Sequence, residues 1–299
     1  MPTAFVFVGG LQKRKGVKQM KKILSVLLAC VCAFGFAACG NKTSNEDANG
    51  KKVLKVAMEC AYAPYNWAQS TDANGAVKIQ DSKDYAYGYD VMMAKHIADE
   101  LGYELEIYKS DWDSLPQLVQ AGKVDCVIAG QSITSERLAS VDFTEPYYYA
   151  SIVGLVRKDT PYADAKGVSD LKGAVCTSQI NTVWYDTCLP QIENAKILPA
   201  MESAPAMLVA LNSKKADLIV TDMPTAMAAV QVYPNFKLLD FTDSDDNFEV
   251  SDEEINIGIS LKKGNTELKD KINSVLSKLT KEDYENMMND AIKVQPISQ

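Results

Sequence analysis

Apolar residues along the chain follow two alternating spacings, and each spacing predicts one kind of element. Short apolar runs at 53–58 and 105–108 predict strands, because four to eight apolar residues bounded by turn residues are typical of buried strands. Between them, residues 90–101 carry apolar side chains at helical spacing and are followed by Gly102, which predicts a helix that ends there. This alternation predicts an α/β protein with a mostly parallel sheet.

The same pattern continues along the chain and begins again after Tyr149. The further predicted elements are a helix over 114–121, strands over 124–129, 152–156, 174–177, 197–198, 217–221, 236–239 and 255–261, helices over 203–212 and 224–232, and two amphipathic helices within 265–292. Nearly 250 residues follow Lys52, enough for two packed cores. We predict two lobes, one formed by 53–148 with 251–299 and one by 149–250, joined by two chain crossings that act as hinges.

Residues 125–149 contain the most informative pattern. A short apolar run ends at Gly130 and is followed by Ser132, Thr134 and Arg137. Thr134 is a good N-cap, so Arg137 is expected in the first turn of a helix, where the dipole disfavours a cation by about 0.3–1 kcal/mol. Free N–H groups, a hydroxyl and a guanidinium together form a carboxylate receptor. The alternative is an arginine that is solvated or paired with a neighbouring acid.

The N-terminal segment predicts secretion. Residues 1–38 contain six Lys or Arg and no Asp or Glu, and 23–38 are largely apolar but shorter than the roughly 20 residues that span a bilayer. This pattern is typical of a signal peptide, and Met20 before two lysines is the expected true start. Residues 36–40 resemble a bacterial lipobox with Cys39 as the lipidated residue, and 39–52 form a polar tether. An uncleaved membrane anchor is the alternative.

Charge and cysteine content exclude several classes of function. Without residues 1–38 the chain has 25 basic and 39 acidic residues, a net charge of −14, which repels phosphate backbones, so no nucleic-acid partner is expected. The predicted mature chain has no Cys-x-x-Cys motif, so neither a zinc ribbon nor a redox motif is supported. Cys126 is expected in the core. Whether Cys176 and Cys188 pair stays open.

Catalytic and metal motifs are also missing from the sequence. His96 is the only histidine. The sequence contains no H-E-x-x-H motif, no Walker motif, no G-x-G-x-x-G motif and no nucleophile elbow. The acidic loop 243–254 matches part of a calcium-loop template, but Phe248 occupies the position that needs glycine. We therefore expect no enzyme activity, no metal and no cofactor.

Several ordered motifs resemble the family 3 solute-binding proteins, the amino-acid receptors of ABC importers. The resemblance covers about residues 53–295. Its motifs are A-Y-A-P-Y-N-W at 61–67, G-Y-D-V-M-M-A-K-H-I-A-D-E-L-G at 88–102, D-W-D-S-L-P-Q-L at 111–118, G-K-V-D-C-V-I-A-G-Q-S-I-T-S-E-R at 122–137 and V-D-F-T-E-P-Y-Y at 141–148. It implies a two-lobed, type II periplasmic-binding-protein-like fold, with each lobe a mixed, mostly parallel sheet flanked by helices.

The resemblance also implies a set of ligand-binding residues. These are Glu59, Tyr62, Trp112, Gly130, Ser132, Arg137, Asn181, Thr182 and Asp222. Arg137 and Ser132 match the residues that hold the ligand α-carboxylate, while Asp222 and the backbone of Gly130 match those that meet the α-amino group. Tyr62 and Trp112 match aromatic walls around the ligand side chain.

The remaining matches concern the second lobe and the far end of the ligand. Residues 178–183 resemble the family's Gln-x-Gly-Thr turn, in which Thr182 completes the carboxylate site and Asn181 stands where glycine is usual. Asparagine tolerates the left-handed conformation better than most residues, which favours the same turn. Glu59 replaces a family acid that meets a polar or cationic side-chain end. Each residue also has an ordinary structural alternative: a core aromatic, a helix N-cap or a solvated acid.

The resemblance implies an extracellular, lipid-anchored, monomeric receptor that passes a polar or cationic amino acid to an ABC permease. Its only link to the membrane is the lipid. Two other functions stay open: an enzyme on the same fold, such as a secreted cyclohexadienyl dehydratase that uses Glu59 or Asp222 as an acid, and a sensor module for a signalling partner. The identity of the amino acid and the number of membranes around the cell also stay open.

Overall fold

The computed structural model of the chain describes residues 50–296. Its strands are β1 (Val53–Met58), β2 (Ala61–Tyr62), β3 (Asn66–Gln69), β4 (Val77–Lys78), β5 (Tyr85–Tyr87), β6 (Glu104–Lys109), β7 (Cys126–Val127), β8 (Val141–Phe143), β9 (Tyr148–Tyr149), β10 (Ile152–Arg157), β11 (Val175–Thr177), β12 (Lys196–Ile197), β13 (Leu218–Asp222), β14 (Phe236–Leu239), β15 (Asn256–Ile257) and β16 (Ser260–Lys262). Its α-helices are α1 (Tyr89–Leu101), α2 (Leu115–Gln120), α3 (Ser135–Leu138), α4 (Ala204–Asn212), α5 (Met223–Val232), α6 (Asp252–Ile255), α7 (Thr266–Leu276) and α8 (Lys281–Val294). Shorter helical turns are Ala73–Gly75, Trp112–Ser114, Val168–Leu171, Trp184–Cys188 and Leu189–Gln191.

Two five-stranded sheets share one topology. Their strand orders are β6-β1-β7-β16-β8 and β12-β11-β13-β10-β14. In each sheet four strands run in one direction, and the strand in fourth place, β16 or β10, runs in the other. The predicted α/β class with mostly parallel sheets is therefore confirmed.

The reversed strand of each sheet follows a connection between the two sheets. β9 leads into β10 and β15 leads into β16, and β9 and β15 pair antiparallel with Tyr149 opposite Asn256. The backbone N–H of Ala150 also donates to the carbonyl of Ile255 over 2.9 Å. The two connections thus lie side by side. The lobe boundaries at 148/149 and 250/251 stay a prediction.

Helices cover the sheets where the sequence places apolar stripes. The predicted helix at 90–101 is confirmed as α1, which buries Val91, Ala94 and Ile97 and ends at Gly102 with φ +67°. It packs on β6, α7 and α8, whereas α2 packs on β1, β7 and β16. In the other sheet, α4 and α5 pack on β10 and β13. All six residues of β10 are buried, so this strand lies inside the hydrophobic core around the second sheet.

Two predicted strands are shorter than the apolar pattern indicated. The strand predicted at 124–129 is paired only as β7, because the chain turns at Gly130 with φ +66°. The strand predicted at 255–261 is interrupted at Gly258, whose Cβ would lie 2.7 Å from Ile133 Cδ1. As a result, β15 pairs with β9, whereas β16 pairs with β7 and β8.

A four-stranded sheet, β2-β3-β5-β4, was not predicted. Its strands have two to four residues, too short for alternation to be recognised. The only indication in the sequence was the aromatic content of residues 62–87. Two of these aromatics, Trp67 and Tyr87, form an edge-to-face pair with centroids 5.5 Å apart.

The four cysteines of the described residues are free and buried, so Cys176 and Cys188 do not pair. Cys126 lies fully buried in β7, as predicted. In residues 50–296, no helix has the length and hydropathy to cross a bilayer, and no group of three or more His, Cys, Asp or Glu is placed to hold a metal ion. The predicted signal peptide, Cys39 and most of the tether lie outside these residues.

Candidate functional site

A small cavity brings together most of the predicted ligand-binding residues from both sheets. It is lined by Tyr62, Trp112, Gly130, Ser132, Arg137, Gln179, Thr182, Val183 and Trp184. Its volume of about 20 Å³ holds roughly one water molecule. Of the nine predicted residues six line the cavity, and the other three, Glu59, Asn181 and Asp222, hydrogen-bond to lining residues.

The guanidinium of Arg137 is fixed by backbone carbonyls on both sides of the cavity. Nη1 donates to the carbonyl of Ser132 over 2.9 Å, and Nη2 donates to the carbonyl of Asn181 over 2.8 Å. The group also stacks on Trp112, with 5.5 Å from Cζ to the ring centroid. These two bonds engage two of its five N–H groups, in a geometry that holds the fork at the cavity wall.

Local structure at Arg137 differs in one respect from the prediction. Thr134 caps α3 as predicted, because its hydroxyl accepts the Arg137 backbone N–H at 3.3 Å. However, α3 has only four residues, so Arg137 lies in its last turn as much as in its first. The predicted penalty from the helix dipole therefore does not apply. Burial lowers the pKa of Arg137 to about 10, and the side chain remains a cation at neutral pH.

Asp222 is the buried acid of the second sheet. It ends β13 and caps α5, accepting the Thr225 N–H at Oδ1 (2.8 Å) and the Thr225 hydroxyl at Oδ2 (3.0 Å). The Tyr62 hydroxyl also donates to Oδ2. Burial raises the pKa of Asp222, and these donors oppose the shift. A carboxylate offers about four acceptor positions, so one remains available beside three donors.

Tyr62 and Gly130 pack directly against each other. A Cβ at Gly130 would lie 2.6 Å from Tyr62 Cε1, and Gly130 has φ +66°. The Tyr62 ring also stacks on Tyr65, with centroids 4.7 Å apart and planes 12° apart, and the centroid of Trp184 lies 6.2 Å from that of Tyr62. Glycine is required here both for its backbone conformation and for its lack of a side chain.

Glu59 follows β1 and is 5% exposed. Its one hydrogen-bond contact within the described residues is Gln179 Nε2, at 3.5 Å from Oε2. Burial raises the pKa of Glu59 from 4.5 to about 7, Gln179 opposes the shift, and Asp111 adds to it. The side chain is thus a weakly bonded carboxylate that a cation would stabilise.

The turn at 178–183 forms the facing wall. Asn181 adopts φ +56°, the left-handed conformation expected where the family has glycine. Its Nδ2 donates to Asp113 Oδ1 over 2.8 Å. The Thr182 hydroxyl donates to the carbonyl of Gln179 over 2.7 Å, which holds the turn together. The Ser132 hydroxyl is also engaged, donating to the carbonyl of Glu254 over 3.1 Å.

Four residues near this site were not predicted to bind ligand. Gln179 contacts Glu59, Val183 and Trp184 line the cavity, and Tyr65 stacks on Tyr62. Gln179 is part of the 178–183 motif and could have been included on that basis. Nothing in the sequence distinguishes Trp184 or Tyr65 from ordinary core aromatics.

A larger cavity of about 620 Å³ adjoins the small one and shares Arg137 and Thr182 with it. Its acidic residues are Glu136, Asp186, Glu253 and Glu254. Four acids against the single cation Arg137 leave this outer cavity with an excess of negative charge, which favours the approach of cations.

Comparison with known proteins identifies the family. Residues 54–292 match the model of the bacterial extracellular solute-binding proteins, family 3. The chain belongs to this family. The chain has the two-lobed architecture of the family's solved structures. The cavity contacts described above lie between its two five-stranded sheets.

Among family 3 relatives, a probable histidine-binding protein of Campylobacter jejuni is 33% identical over 211 residues, which cover 69% of this chain and 76% of the relative. An arginine-bound amino acid ABC transporter substrate-binding protein from Streptococcus pneumoniae aligns with TM-score 0.69 and 28% identity, covering 81% of this chain and 94% of that one. The ancestral amino-acid-binding protein AncCDT-1, a precursor of cyclohexadienyl dehydratase, aligns with TM-score 0.65 and 28% identity, covering 80% and 95%.

Proposed function

We propose that this protein binds a free amino acid between two closing lobes and delivers it to an ABC transporter permease. One observation carries the proposal: a guanidinium from the first sheet lines an aromatic cavity, and a buried carboxylate from the second sheet lies directly behind the lining Tyr62 and is bonded to it. Arg137 suits an α-carboxylate, and the remaining acceptor position of Asp222 suits an α-ammonium. A zwitterion is the ligand that uses both.

The contacts that cross the cavity support the proposed closing of the two lobes. Arg137 bonds the carbonyl of Asn181, Tyr62 bonds Asp222, and Asn181 bonds Asp113. An amino acid of about ten heavy atoms is far larger than one water, so the walls must separate to admit it and then close around it. A micromolar affinity requires about 8 kcal/mol, roughly 0.8 kcal/mol per atom, which lies below the ceiling for small ligands.

The preferred side chain is cationic. Glu59 is a buried acid whose protein partner is an amide at 3.5 Å, so a guanidinium or imidazolium would supply the missing counter-charge. The acidic outer cavity favours the same ligands. Relatives named for histidine and arginine support this choice.

We further propose that the receptor is a monomer held on the outer face of the membrane through a lipid on Cys39. The signal-like pattern of residues 1–38 and the membership of an extracellular family support this location. The proposed lobes are 53–148 with 251–299 and 149–250, and the paired β9 and β15 would form the hinge.

A dehydratase is the second candidate, because a pKa of about 7 at Glu59 would suit a general acid. Binding is favoured, since a single zwitterion accounts for Arg137 and Asp222 together. Turnover of a prephenate-like substrate by the purified protein, with Glu59→Gln abolishing it, would instead establish the enzyme.

Calorimetric titration of the full-length protein with the twenty amino acids tests the proposal. We expect stoichiometric binding of one or more cationic amino acids, and loss of all detectable binding in Arg137→Ala with the melting temperature nearly unchanged. Lys172→Ala is the matched control, since it removes a cation from an exposed pair with Glu193, and it should bind like the wild type. Retained affinity in Arg137→Ala would contradict the carboxylate assignment.

A further inference from the structure

Asp90 is a fully buried carboxylate that does not line the cavity. It lies in the first turn of α1, where the helix dipole favours a negative charge. Its Oδ1 accepts the Tyr147 hydroxyl over 2.7 Å, and its Oδ2 accepts Asn66 Nδ2 over 2.7 Å. Both bonds are buried, and neither partner is a cation. Such an arrangement is costly, because burial disfavours the charged form.

Each partner of Asp90 is bonded onward to a loop of the candidate site. The Tyr147 hydroxyl accepts the backbone N–H of Gly130 over 3.0 Å. Asn66 Oδ1 accepts the backbone N–H of Cys60 over 2.7 Å. One carboxylate therefore connects the loop that begins at Gly130 and leads to Arg137 with the loop that carries Glu59 and Tyr62.

The hydrogen-bond directions in this network favour an ionised acid. Because Asn66 Oδ1 is used by Cys60, its amide must present the NH₂ group to Asp90. Because the Tyr147 oxygen already accepts from Gly130, its own hydrogen points to Asp90. Both Asp90 oxygens thus face donors, and a proton on either oxygen weakens that oxygen as an acceptor. An asparagine at this position would place an N–H donor against one of these donors.

The two connected loops also touch each other, since the Tyr62 ring lies against Gly130. A shift of either loop would move the aromatic wall and the backbone that faces the α-amino group at the same time. A displacement of about 1 Å in such a site is enough to weaken binding strongly. The network accordingly acts on every ligand, whatever its side chain.

We propose that Asp90 is a positioning residue, whose carboxylate holds the Glu59–Tyr62 and Gly130–Arg137 loops in the geometry that binds an amino acid. It touches no ligand and acts only through Tyr147 and Asn66. The inference rests on the proposed function, and it assigns a role that none of the nine predicted site residues has.

The titratable surroundings of Asp90 make this role testable by pH. Burial raises the pKa of Asp90 to about 6. The ionisable groups that face it are Tyr147, Tyr89, Tyr62, Cys60 and, from the other sheet, Asp222. Burial raises the pKa of the three tyrosines and of Cys60, so these groups stay neutral near pH 6. Glu59 also titrates near neutrality, so the experiment is done in a Glu59→Gln background.

The test compares Glu59→Gln with Glu59→Gln/Asp90→Asn by calorimetry between pH 8 and pH 5, with L-glutamine and L-arginine as probes. We expect Asp90→Asn to weaken both ligands at least tenfold at pH 8, measured at a temperature at which both variants are folded. Below pH 6 the parent should lose affinity and approach the double variant, whose affinity should depend less on pH because Asp90 no longer titrates in it. Tyr147→Phe removes the hydroxyl that bonds both Asp90 and Gly130 but leaves the branch through Asn66 to Cys60. It should reproduce part of the loss and serves if Asp90→Asn does not fold.

Asp246→Asn is the matched control. Asp246 accepts the Ser169 N–H over 3.0 Å at an exposed turn of the other lobe, so its loss should lower the melting temperature and leave affinity unchanged. Unchanged affinity in both Asp90→Asn and Tyr147→Phe would overturn the positioning role while leaving the proposed function intact. Absence of amino-acid binding by the wild type would instead defeat the proposed function itself.

Discussion

Arg137 and Asp222 are held by different kinds of contact. Arg137 is fixed through two backbone carbonyls and one indole ring, none of which can titrate. Asp222 is fixed through donors from Tyr62 and Thr225. The bonds that each residue makes on its own side of the cavity, Arg137 to the carbonyl of Ser132 and Asp222 from the N–H of Thr225, orient both side chains even when the walls separate. Preorganisation of this kind reduces the entropy lost on binding and would favour tight binding of a small ligand.

Under the proposed function, Glu59 should make binding of a cationic ligand depend on pH. Its pKa of about 7 means that it is mostly ionised at pH 8 and mostly protonated at pH 6. A guanidinium stabilises only the ionised form, so the affinity for L-arginine should fall about tenfold from pH 8 to pH 6. The affinity for L-glutamine should change much less, because an amide can also accept a hydrogen bond from the protonated acid. Calorimetry at three pH values measures both slopes.

The control for this prediction is Glu193→Gln, which removes an exposed acid paired with Lys172 and should preserve the pH dependence of arginine affinity. Glu59→Gln should reduce that pH dependence. An arginine affinity that is independent of pH in the wild type would remove Glu59 from the ligand side-chain pocket.

At the scale of elements, the loop after β7 needs glycine at position 130 for two reasons, its backbone conformation and its contact with Tyr62. Gly130 has φ +66° and lies against Tyr62, whereas Gly173 has φ +76° and nothing within 4 Å of its added Cβ. Gly173→Ala should cost about 1–2 kcal/mol of stability from backbone strain alone, with affinity unchanged. Gly130→Ala has the same strain and must also push Tyr62 aside, so we expect at least a tenfold loss of affinity. Chemical denaturation and calorimetry on both variants separate the two effects, and equal affinity in the two would show that the Tyr62 contact is irrelevant.

The strands and helices that the sequence predicted well are those with a long, regular pattern. α1 has a buried stripe and a glycine stop, and β10 is apolar throughout. The strand predicted at 255–261 has a continuous pattern too, but its pairing changes at Gly258 because Ile133 packs there. That contact joins residues far apart in the sequence, so no local pattern can reveal it. The short strands β2 to β5 were not predicted for a related reason. They are identified by the strands with which they pair, and their amino-acid composition alone does not indicate them.

The candidate site could be predicted only in part. Motifs placed Arg137, Asp222 and Tyr62 at strand ends, where parallel sheets expose their loops. They did not indicate that the Tyr62 hydroxyl bonds Asp222, nor that Asp90 lies behind both loops, because these contacts depend on how distant segments pack. The dipole argument for Arg137 was wrong, since α3 has only four residues and Arg137 lies in its last turn as much as in its first.

At the scale of the whole molecule, two sheets of identical strand order face one another across the cavity. Each receives its reversed strand from one of two adjacent connections, so rotation about β9 and β15 could separate the cavity walls without disturbing either sheet. The candidate ligand contacts come from both sheets, so under the proposed function closure of the lobes would bring them together. Binding and closure are therefore expected to be one coupled event.

The central claim is that the protein recognises the shared zwitterion of amino acids. Its most direct test is calorimetric titration of the full-length protein with L-arginine and L-histidine beside their decarboxylated forms, agmatine and histamine. We predict that at least one of the two amino acids binds with a micromolar Kd or tighter, and that its decarboxylated form binds at least a hundredfold more weakly, since Arg137 then has no carboxylate to bind. Equal affinity for an amino acid and its decarboxylated form would contradict the claim, as would the absence of binding by both amino acids.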